Sequence, residues 1–399
     1  MTPVRPHGAL LALCAGAALM FTGFFMTGTL APLLAGSLQA PPAVIGVVIA
    51  AAFVFPFFLA IPAGSLVDAG GPKPMLLTGT ALLALAPAWV AIAPSLASLI
   101  AVQIAAGLGQ LIAVVAAQSV VASLAEGRDR EMNFGWYGAF VSGGQLAGPV
   151  AAGVLVDLAG FRVAYLTAAV VAAAGLAIFA VLRIPGRRHD AGSRRRAAFV
   201  PPSKLLSIAR LPTAQVSLLV SGTVMIVLIS HNSFLPAFLD ELTIPASVIG
   251  MVISARSAAS VLIRPFMTAM VSAFGGRLRS FFVTIVASAI GVAGIAFAPN
   301  LVVLLASSLL LGLAVGIAQP LTMVAMVEEV EEASHGVAFG TRITANRLVQ
   351  FVAPLLLGLV AQALGYAAMF LVAAAAVGAT AVGLVLLRRR FRAIDWTAG

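Results

Sequence analysis

The sequence predicts an all-α membrane protein in which twelve transmembrane helices form two similar six-helix bundles. Three observations support this fold class. Hydrophobic residues make up 61% and charged residues 9% of the chain, against about 45–50% and about 25% in soluble domains. The chain contains twelve apolar runs close to the roughly 20 residues that a membrane-spanning helix needs. Finally, blocks of the first half return in the second half at a constant distance.

The repeat is visible in three separated blocks. AVIGVVIAAA at 43–52 returns as SVIGMVISAR at 247–256, and IAPSLASLI at 92–100 returns as FAPNLVVLL at 297–305. The segment that starts FGWYGAF at 134 returns from 339 as FGTRITA. Compositional bias does not produce offsets of 204 and 205 in all three blocks. In membrane transport proteins such halves usually close around a shared site, so we expect one here.

The twelve runs lie between charged residues or Pro/Gly breaks. They are found near 8–31, 43–66, 75–93, 97–125, 134–157, 161–182, 213–237, 246–274, 281–298, 301–326, 337–361 and 366–387. We interpret the first run as a span and not as a removed signal, because bulky Leu13 precedes Cys14 and the run continues well beyond them. The predicted domains are therefore 1–183, a basic linker at 184–212, and 213–399.

The distribution of basic residues predicts the orientation. With the N-terminus inside, eighteen of the 23 Lys and Arg fall in the cytoplasm, four fall within spans, and only Arg162 falls outside. This follows the positive-inside rule. We therefore expect a multi-pass protein of the cytoplasmic (inner) membrane with both termini in the cytoplasm. The basic charge reflects topology, and the linker is too short for a nucleic-acid-binding surface.

The loop between spans two and three carries a specific motif. GSLVDAGGPKPML at 64–76 resembles the signature Gly-x-Leu-x-Asp-Arg-x-Gly-Arg-Lys of the major facilitator superfamily. The matching positions are Gly64, Leu66, Asp68, Gly71 and Lys73. Ala69 and Pro72 stand where the family has basic residues, and the second-half copy keeps Arg264, Pro265 and Gly275 but has Ser272 in place of the acid. The resemblance implies the major facilitator fold and transport by alternating access.

Span five adds a second similarity. Its small residues resemble the family's antiporter signature, although Gly144 replaces an Asn and Ala152 replaces a Gly. The residues predicted to allow close packing or a hinge are Gly144, Gly148, Pro149, Gly153 and, in the second half, Pro354. In span four the family often has an Arg where this chain has Gln103.

The loop signature predicts a cytoplasmic gate. Asp68 closes span two, and in the family fold it faces the positive N-terminal end of span eleven, which here carries Arg342. We expect a latch in which Asp68 pairs with that helix end and Arg342, together with Gly64, Gly71 and Lys73. The alternative is that Asp68 only caps a turn.

Two arginines predict the substrate site. Arg256 and Arg347 each lie ten or eleven residues into a span, about 15 Å deep and near the membrane centre. None of the thirteen acids falls mid-membrane, so we expect an anionic solute as the counter-ion, bound by the planar guanidinium. The further predicted substrate-binding residues are Gln103, Gln110, Thr22, His231, Asn346 and Gln350. A tie of Arg347 to Glu328, a satisfied His231 and glutamines that join helices remain alternatives.

The function expected from these residues is secondary transport of a small anionic or zwitterionic solute, with efflux or exchange favoured because an anion leaves a negative-inside cell spontaneously. A proton-coupled multidrug exporter is the alternative, weakened by the lack of a mid-membrane carboxylate. A membrane sensor or membrane-embedded enzyme is a third possibility. No ATP-binding loop, nucleophile–base pair or metal cluster is found in the sequence. We expect no enzyme activity, cofactor, metal or nucleic-acid partner, and a monomer in the bilayer.

Overall fold

The computed structural model describes residues 6–59, 67, 70–124, 128–182, 202–331 and 334–388. Its helices up to residue 182 are α1 (Pro6–Ser37), α2 (Pro42–Ala51), α3 (Val54–Leu59), α4 (Pro72–Ile92), α5 (Leu96–Ser123) and α6 (Arg128–Val181). The later helices are α7 (Pro202–Ala209), α8 (Pro212–Ile229), α9 (Leu235–Glu241), α10 (Ala246–Leu262), α11 (Met267–Ala273), α12 (Arg277–Ile295), α13 (Leu301–Val327), α14 (His335–Leu364) and α15 (Tyr366–Arg388).

The predicted number of spans agrees with these helices. Within the described residues, eleven segments are long and apolar enough to cross a membrane. One of them holds two spans, because α6 contains Gly160 with φ 79 and ψ 174, a conformation that interrupts the helix. Gly365 marks the corresponding boundary between α14 and α15, with φ 82. The protein is therefore an all-α, multi-pass membrane protein.

Three spans are interrupted where the sequence predicted continuous runs. Residues 52–53 separate α2 from α3, and Pro56 explains this break because it has no N–H to donate to the carbonyl of Ala52. A π-helical turn, Ser230–Phe234, separates α8 from α9, just before Pro236. A short 3-10 turn, Arg264–Phe266, separates α10 from α11 at Pro265.

The repeat seen in the sequence extends to the helix starts. The Ser95 side chain accepts a hydrogen bond from the backbone N–H of Ser98 at the start of α5. Asn300, 205 residues later, accepts from the N–H groups of Val302 and Val303 at the start of α13. Each side chain satisfies donors that would otherwise lack a helical partner.

The described chain forms two compact units. The first contains the described residues of Met1–Ala40, Ala51–Phe199 and Pro245–Met251. In it α1 packs along α6, and α4 packs against α5 and α6. A buried cluster between these helices includes Leu13, Met20 and Phe179. The start of α1 thus belongs to the folded core of this unit, as expected for a span.

The second unit contains the described residues of Pro41–Ala50, Val200–Ile244 and Val252–Gly399. In it α12 packs against α13 and α15, and α8 packs against α13 and α14. Glu329 accepts bonds from the Thr213 N–H at 3.1 Å and the Thr213 hydroxyl at 2.7 Å, and so fixes the start of α8. The bounds 1–183, 184–212 and 213–399 stay a sequence-based prediction.

Candidate functional site

Arg256 lies in the interior of the second unit. Its side chain is 1% exposed and is the largest of the fully buried side chains in the described chain. One guanidinium nitrogen donates to the Ser257 hydroxyl at 3.0 Å, and the buried Nε has no hydrogen-bond partner. A guanidinium carries five N–H donors, and a buried charge without a counter-ion is strongly unfavourable.

Close helix packing puts Arg256 in this position. A Cβ at Gly312 of α13 would collide with the backbone carbonyl of Arg256, and a Cβ at Gly316 would collide with the Ser260 carbonyl. The glycines therefore let α10 and α13 approach at backbone distance. At the corresponding place in the first unit, Gly107 approaches the carbonyl of Ala52, which lies 204 residues before Arg256. The second repeat thus places a charge where the first has a methyl group.

His231 lies in the π-helical turn and is completely buried. Its Nε2 lies 2.9 Å from the Ser308 hydroxyl, and its Nδ1 lies 3.4 Å from the amide oxygen of Asn232. A neutral ring with its proton on Nδ1 satisfies both contacts. His231 and Ser308 therefore form a buried polar pair within an apolar bundle.

Arg347 lies on α14 and is half-buried. It donates to the Gln350 side-chain oxygen at 3.0 Å, and the Gln350 amide in turn donates to the Met225 sulfur at 3.2 Å. The neighbouring Asn346 has a buried side-chain oxygen without a partner. The structure thus brings together Arg347 and Gln350, as the sequence predicted, and adds Met225 of α8.

The acidic side chains in the described chain are bonded to groups other than Arg256 and Arg347, or lie at helix ends. Glu328 pairs with Arg277 at 2.9 Å, the one ion pair found among the described residues. This bond removes the alternative in which Glu328 holds Arg347. Arg342, predicted at the cytoplasmic gate, is 4% exposed and donates to the Thr322 hydroxyl at 2.8 Å. Its predicted partner Asp68 lies outside the described residues, as does Gly64.

The rest of the loop signature is described. Gly71 has φ 82 and precedes α4, a conformation that favours glycine. Before α12 both Gly275, with φ 77, and Gly276, with φ 108, have positive φ, and Gly276 is the residue that directly precedes the helix. Lys73 donates to the Ala180 carbonyl at 2.9 Å and to the Leu182 carbonyl at 2.7 Å. It thereby occupies the C-terminal end of α6, where a cation is favoured.

The polar residues predicted in the first unit lie in a different part of the chain from Arg256 and Arg347. Gln103 is 7% exposed, Gln110 is half-buried, and the Thr22 hydroxyl donates to the Ala18 carbonyl at 2.8 Å. The hydrogen-bond donor of the Thr22 hydroxyl is thus satisfied by a carbonyl of the preceding turn of α1. These three residues remain sequence-based candidates for substrate contact.

The small residues of span five mark close contacts between helices. A Cβ at Gly144 would collide with the Ala18 carbonyl, and one at Gly148 with the Thr22 carbonyl, both on α1. A Cβ at Gly153 would collide with the Ala246 carbonyl. Pro149 and Pro354 lie inside their helices. A hinge at these positions stays a prediction.

Sequence reasoning missed Ser308, Thr322 and Met225, which hold His231, Arg342 and Gln350. Each lies between 20 and 125 residues from its partner, so local pattern does not pair them. One signal was present for Ser308: it stands 205 residues after Gln103, a position already singled out. Within the part of the chain that the structure describes, no group of three or more metal-ligating side chains is found.

Comparison with known proteins agrees with this architecture. The family model described as Major Facilitator Superfamily matches residues 13–242 and 217–397, whereas no curated protein sequence matches the chain. The structure is similar to a mutant of the nucleoside transporter NupG, with TM-score 0.80, 16% identity, and 95% of this chain and 99% of that chain covered.

Two further solved structures share the fold. A POT family transporter in complex with 5-aminolevulinic acid has TM-score 0.78 at 12% identity, with 97% of both chains covered. A bacterial homologue of the human lysosomal transporter Spinster has TM-score 0.73 at 14% identity, with 97% of this chain and 96% of that chain covered. The family match spans nearly the whole sequence and fits the helices described above. The chain belongs to the Major Facilitator Superfamily.

Proposed function

We propose that this transporter moves a small organic anion or zwitterion by alternating access, and that Arg256 and Arg347 bind its anionic group. The observation that carries the proposal is the state of Arg256. Its guanidinium is buried, holds one hydrogen bond to Ser257, and leaves Nε without a partner. A carboxylate or phosphate supplies both the missing charge and paired acceptors for the planar guanidinium.

The surrounding residues support an anion over a cation. Ser257 adds a neutral hydrogen-bonding group to Arg256, and the His231–Ser308 pair is a second neutral polar group of the same unit. Asn346 and Gln350 do the same beside Arg347. Glu328, Glu329 and Asp157, among the acids that the structure describes, are bonded to groups other than these arginines. Gln103, Gln110 and Thr22 are proposed as neutral contacts to the rest of the solute.

We further propose the cytoplasmic membrane as the location, with both termini inside, a monomeric state, and efflux or exchange as the direction. The excess of Lys and Arg in predicted cytoplasmic segments supports the orientation. The direction rests on energetics, because each negative charge gains about 2.3 kcal/mol per 100 mV on leaving a negative-inside compartment.

A proton-coupled multidrug exporter is the second candidate. It is favoured by the close packing of Gly144 and Gly148 on α1, in the span that resembles the antiporter signature. The two functions differ in the charge of the solute. Thermal unfolding of the purified protein in the presence of mono- and dicarboxylates, phosphorylated metabolites or lipophilic cations distinguishes them, because a bound ligand raises the unfolding midpoint. Stabilisation by anions supports the proposal, and stabilisation by tetraphenylphosphonium alone supports the exporter.

A further inference from the structure

A carboxylate of the first unit holds the first turn of α10. Asp157 Oδ1 accepts a hydrogen bond from the Ala246 N–H at 3.0 Å, and Oδ2 accepts one from the Ser247 N–H at 2.8 Å. Both oxygens are therefore engaged by consecutive backbone donors at a helix N-terminus. Those donors have no partner inside their own helix, and the positive end of the helix favours an anion.

The helix backbones below this contact approach closely. A Cβ at Gly153 would collide with the Ala246 carbonyl, and a Cβ at Gly250 would collide with the Pro149 carbonyl. Residues 245–251 cluster with the first unit, so the contact between α6 and the start of α10 lies within that unit. The hydrogen bonds of Asp157 therefore add to an interface in which glycines already let the two helix backbones lie in contact.

The second unit contains the repeat of this contact. A Cβ at Gly46 would collide with the Pro354 carbonyl, and one at Gly358 would collide with the Pro42 carbonyl. These positions are the repeat partners of Gly250, Pro149, Gly153 and Ala246, at offsets of 204 or 205. The start of α2 therefore packs on α14 as the start of α10 packs on α6.

The two contacts differ in one respect. At the position equivalent to Asp157 the second repeat has Gln362, which carries no charge. At the position equivalent to Ala246 the first repeat has Pro42, which has no N–H to donate. The mirrored contact thus has a neutral amide in place of the carboxylate and lacks the first of the two donors, whereas the second donor has an equivalent in the N–H of Ala43. Since that contact is equally close without a carboxylate and without the first donor, the charge of Asp157 is not needed to bring the helices together.

The carboxylate also gains little from its own helix. Asp157 lies three residues before the interruption of α6 at Gly160, and the C-terminal end of a helix disfavours an anion. Arg162 and Asp157 form no ion pair in the described structure. The favourable interactions seen for Asp157 are therefore those with α10.

We propose that Asp157 is a releasable clasp, and that its bonds to the start of α10 open when the predicted outer end of the protein opens during transport. α10 begins in the first unit and continues from Val252 in the second, where it carries Arg256. A clasp on its first turn therefore acts on the helix that holds the proposed anion. The inference extends the proposed function but does not depend on the charge of the solute.

Double electron–electron resonance in lipid nanodiscs tests the clasp. Spin labels at Leu158 and Thr243, both exposed, report the clasped contact in a Cys14→Ala background. Asp157→Gln removes the charged acceptor, and we expect the ratio of open to closed distances to rise about tenfold, as loss of a charge-assisted bond predicts. The double variant Asp157→Gln with Ala246→Pro copies the mirrored contact and is expected to fold and to show the same shift.

Gln362→Asn is the matched control, because it changes the mirrored position without altering charge. We expect its distance distribution between labels at 158 and 243 to equal that of the parent. Unchanged distances in Asp157→Gln and in the double variant would overturn the proposal, as would a double variant that does not fold, because the bonds would then be structural. Failure of the anion assay leaves this result unaffected, so the two proposals are judged separately.

Discussion

Arg256 is the described residue whose burial a membrane interior disfavours most. An arginine at the centre of a span costs about 2.5–3.5 kcal/mol or more unless it faces a partner or a cavity. Arg256 is 1% exposed and has a serine hydroxyl as its bonded partner. Arg342 is buried too, but its bond to Thr322 ties it to α13 near a helix end. Arg342 also has a buried Nε without a partner, so the predicted depth of Arg256 near the membrane centre, and not its hydrogen bonding alone, distinguishes the two arginines.

Replacing Arg256 or Arg347 with Gln is expected to weaken binding of the stabilising anion by about tenfold to a hundredfold, since a charge-assisted contact is worth about 1.5–3 kcal/mol. Lys is expected to restore only part of the affinity, because an ammonium lacks the paired donors of a guanidinium. Isothermal titration of the purified variants measures the change. Arg264→Gln, at an exposed position of the 3-10 turn, is the control and should bind normally.

Lys73 is expected to contribute to stability through its bonds to Ala180 and Leu182. Lys73→Met keeps the apolar part of the side chain and removes the ammonium, leaving two carbonyl groups at the end of α6 without that donor. We expect a loss on the order of 1–3 kcal/mol, seen as a lower unfolding midpoint in detergent. An unchanged midpoint would mean that water replaces the ammonium without loss.

At the scale of helices, composition and periodic breaks predicted most of the architecture. Apolar runs located every span, because a helix in lipid must satisfy its backbone internally and cover about 20 residues. The interruptions at 52–53 and 230–234 were not predicted. Proline occurs in other helices here without ending them, as Pro149 and Pro354 show, so the sequence alone did not identify which proline would break its span.

The candidate site was predicted in part for the same reason. Arg256, Arg347 and Gln350 stand out because polar residues are rare within spans. Their partners Ser257 and Met225 are ordinary residues for a membrane helix. Ser308 lies 77 residues from His231 and is brought to it by the packing of α13. The His231–Ser308 and Gln350–Met225 pairs depend on tertiary structure, which hydrophobic pattern does not specify.

The contact between α10 and α13 gives a prediction for a helix pair. Gly312→Leu would place a side chain against the Arg256 backbone carbonyl, and the helices would have to separate. We expect a clearly lower unfolding midpoint and impaired anion binding, because overpacking a close contact commonly costs about 1–3 kcal/mol. Gly340→Leu, where nothing lies within 4 Å of the added Cβ, should be tolerated. Equal behaviour of the two variants would contradict this account.

At the scale of the molecule, the two repeats differ mainly in where they carry charge. Their packing contacts correspond: Gly107 with Ala52 and Gly312 with Arg256, Gly46 with Pro354 and Gly250 with Pro149. The arginines of the candidate site belong to the second repeat, and the Asp157 clasp involves the first turn of α10. A duplicated scaffold therefore carries a site and a clasp that are not duplicated.

The predicted cytoplasmic latch belongs to this scale as well. Asp68→Asn should impair transport without preventing membrane insertion, and should favour conformations open to the cytoplasm. Labelling of single cysteines near residues 68 and 342, in a Cys14→Ala background, reports the change. Unaltered transport together with unaltered labelling would reduce Asp68 to a turn residue.

The proposed transport depends on Arg256 and Arg347 binding an anion that the protein then moves across the membrane. The most direct test is flux in proteoliposomes loaded with the radiolabelled anion that gives the largest thermal stabilisation, at a fixed potassium-diffusion potential. We expect faster exit of the anion when the loaded side is negative. We also expect about tenfold or greater loss of flux in Arg256→Gln and Arg347→Gln but not in Arg264→Gln. Normal flux in both variants, or flux of tetraphenylphosphonium without flux of the anion, would contradict the proposal.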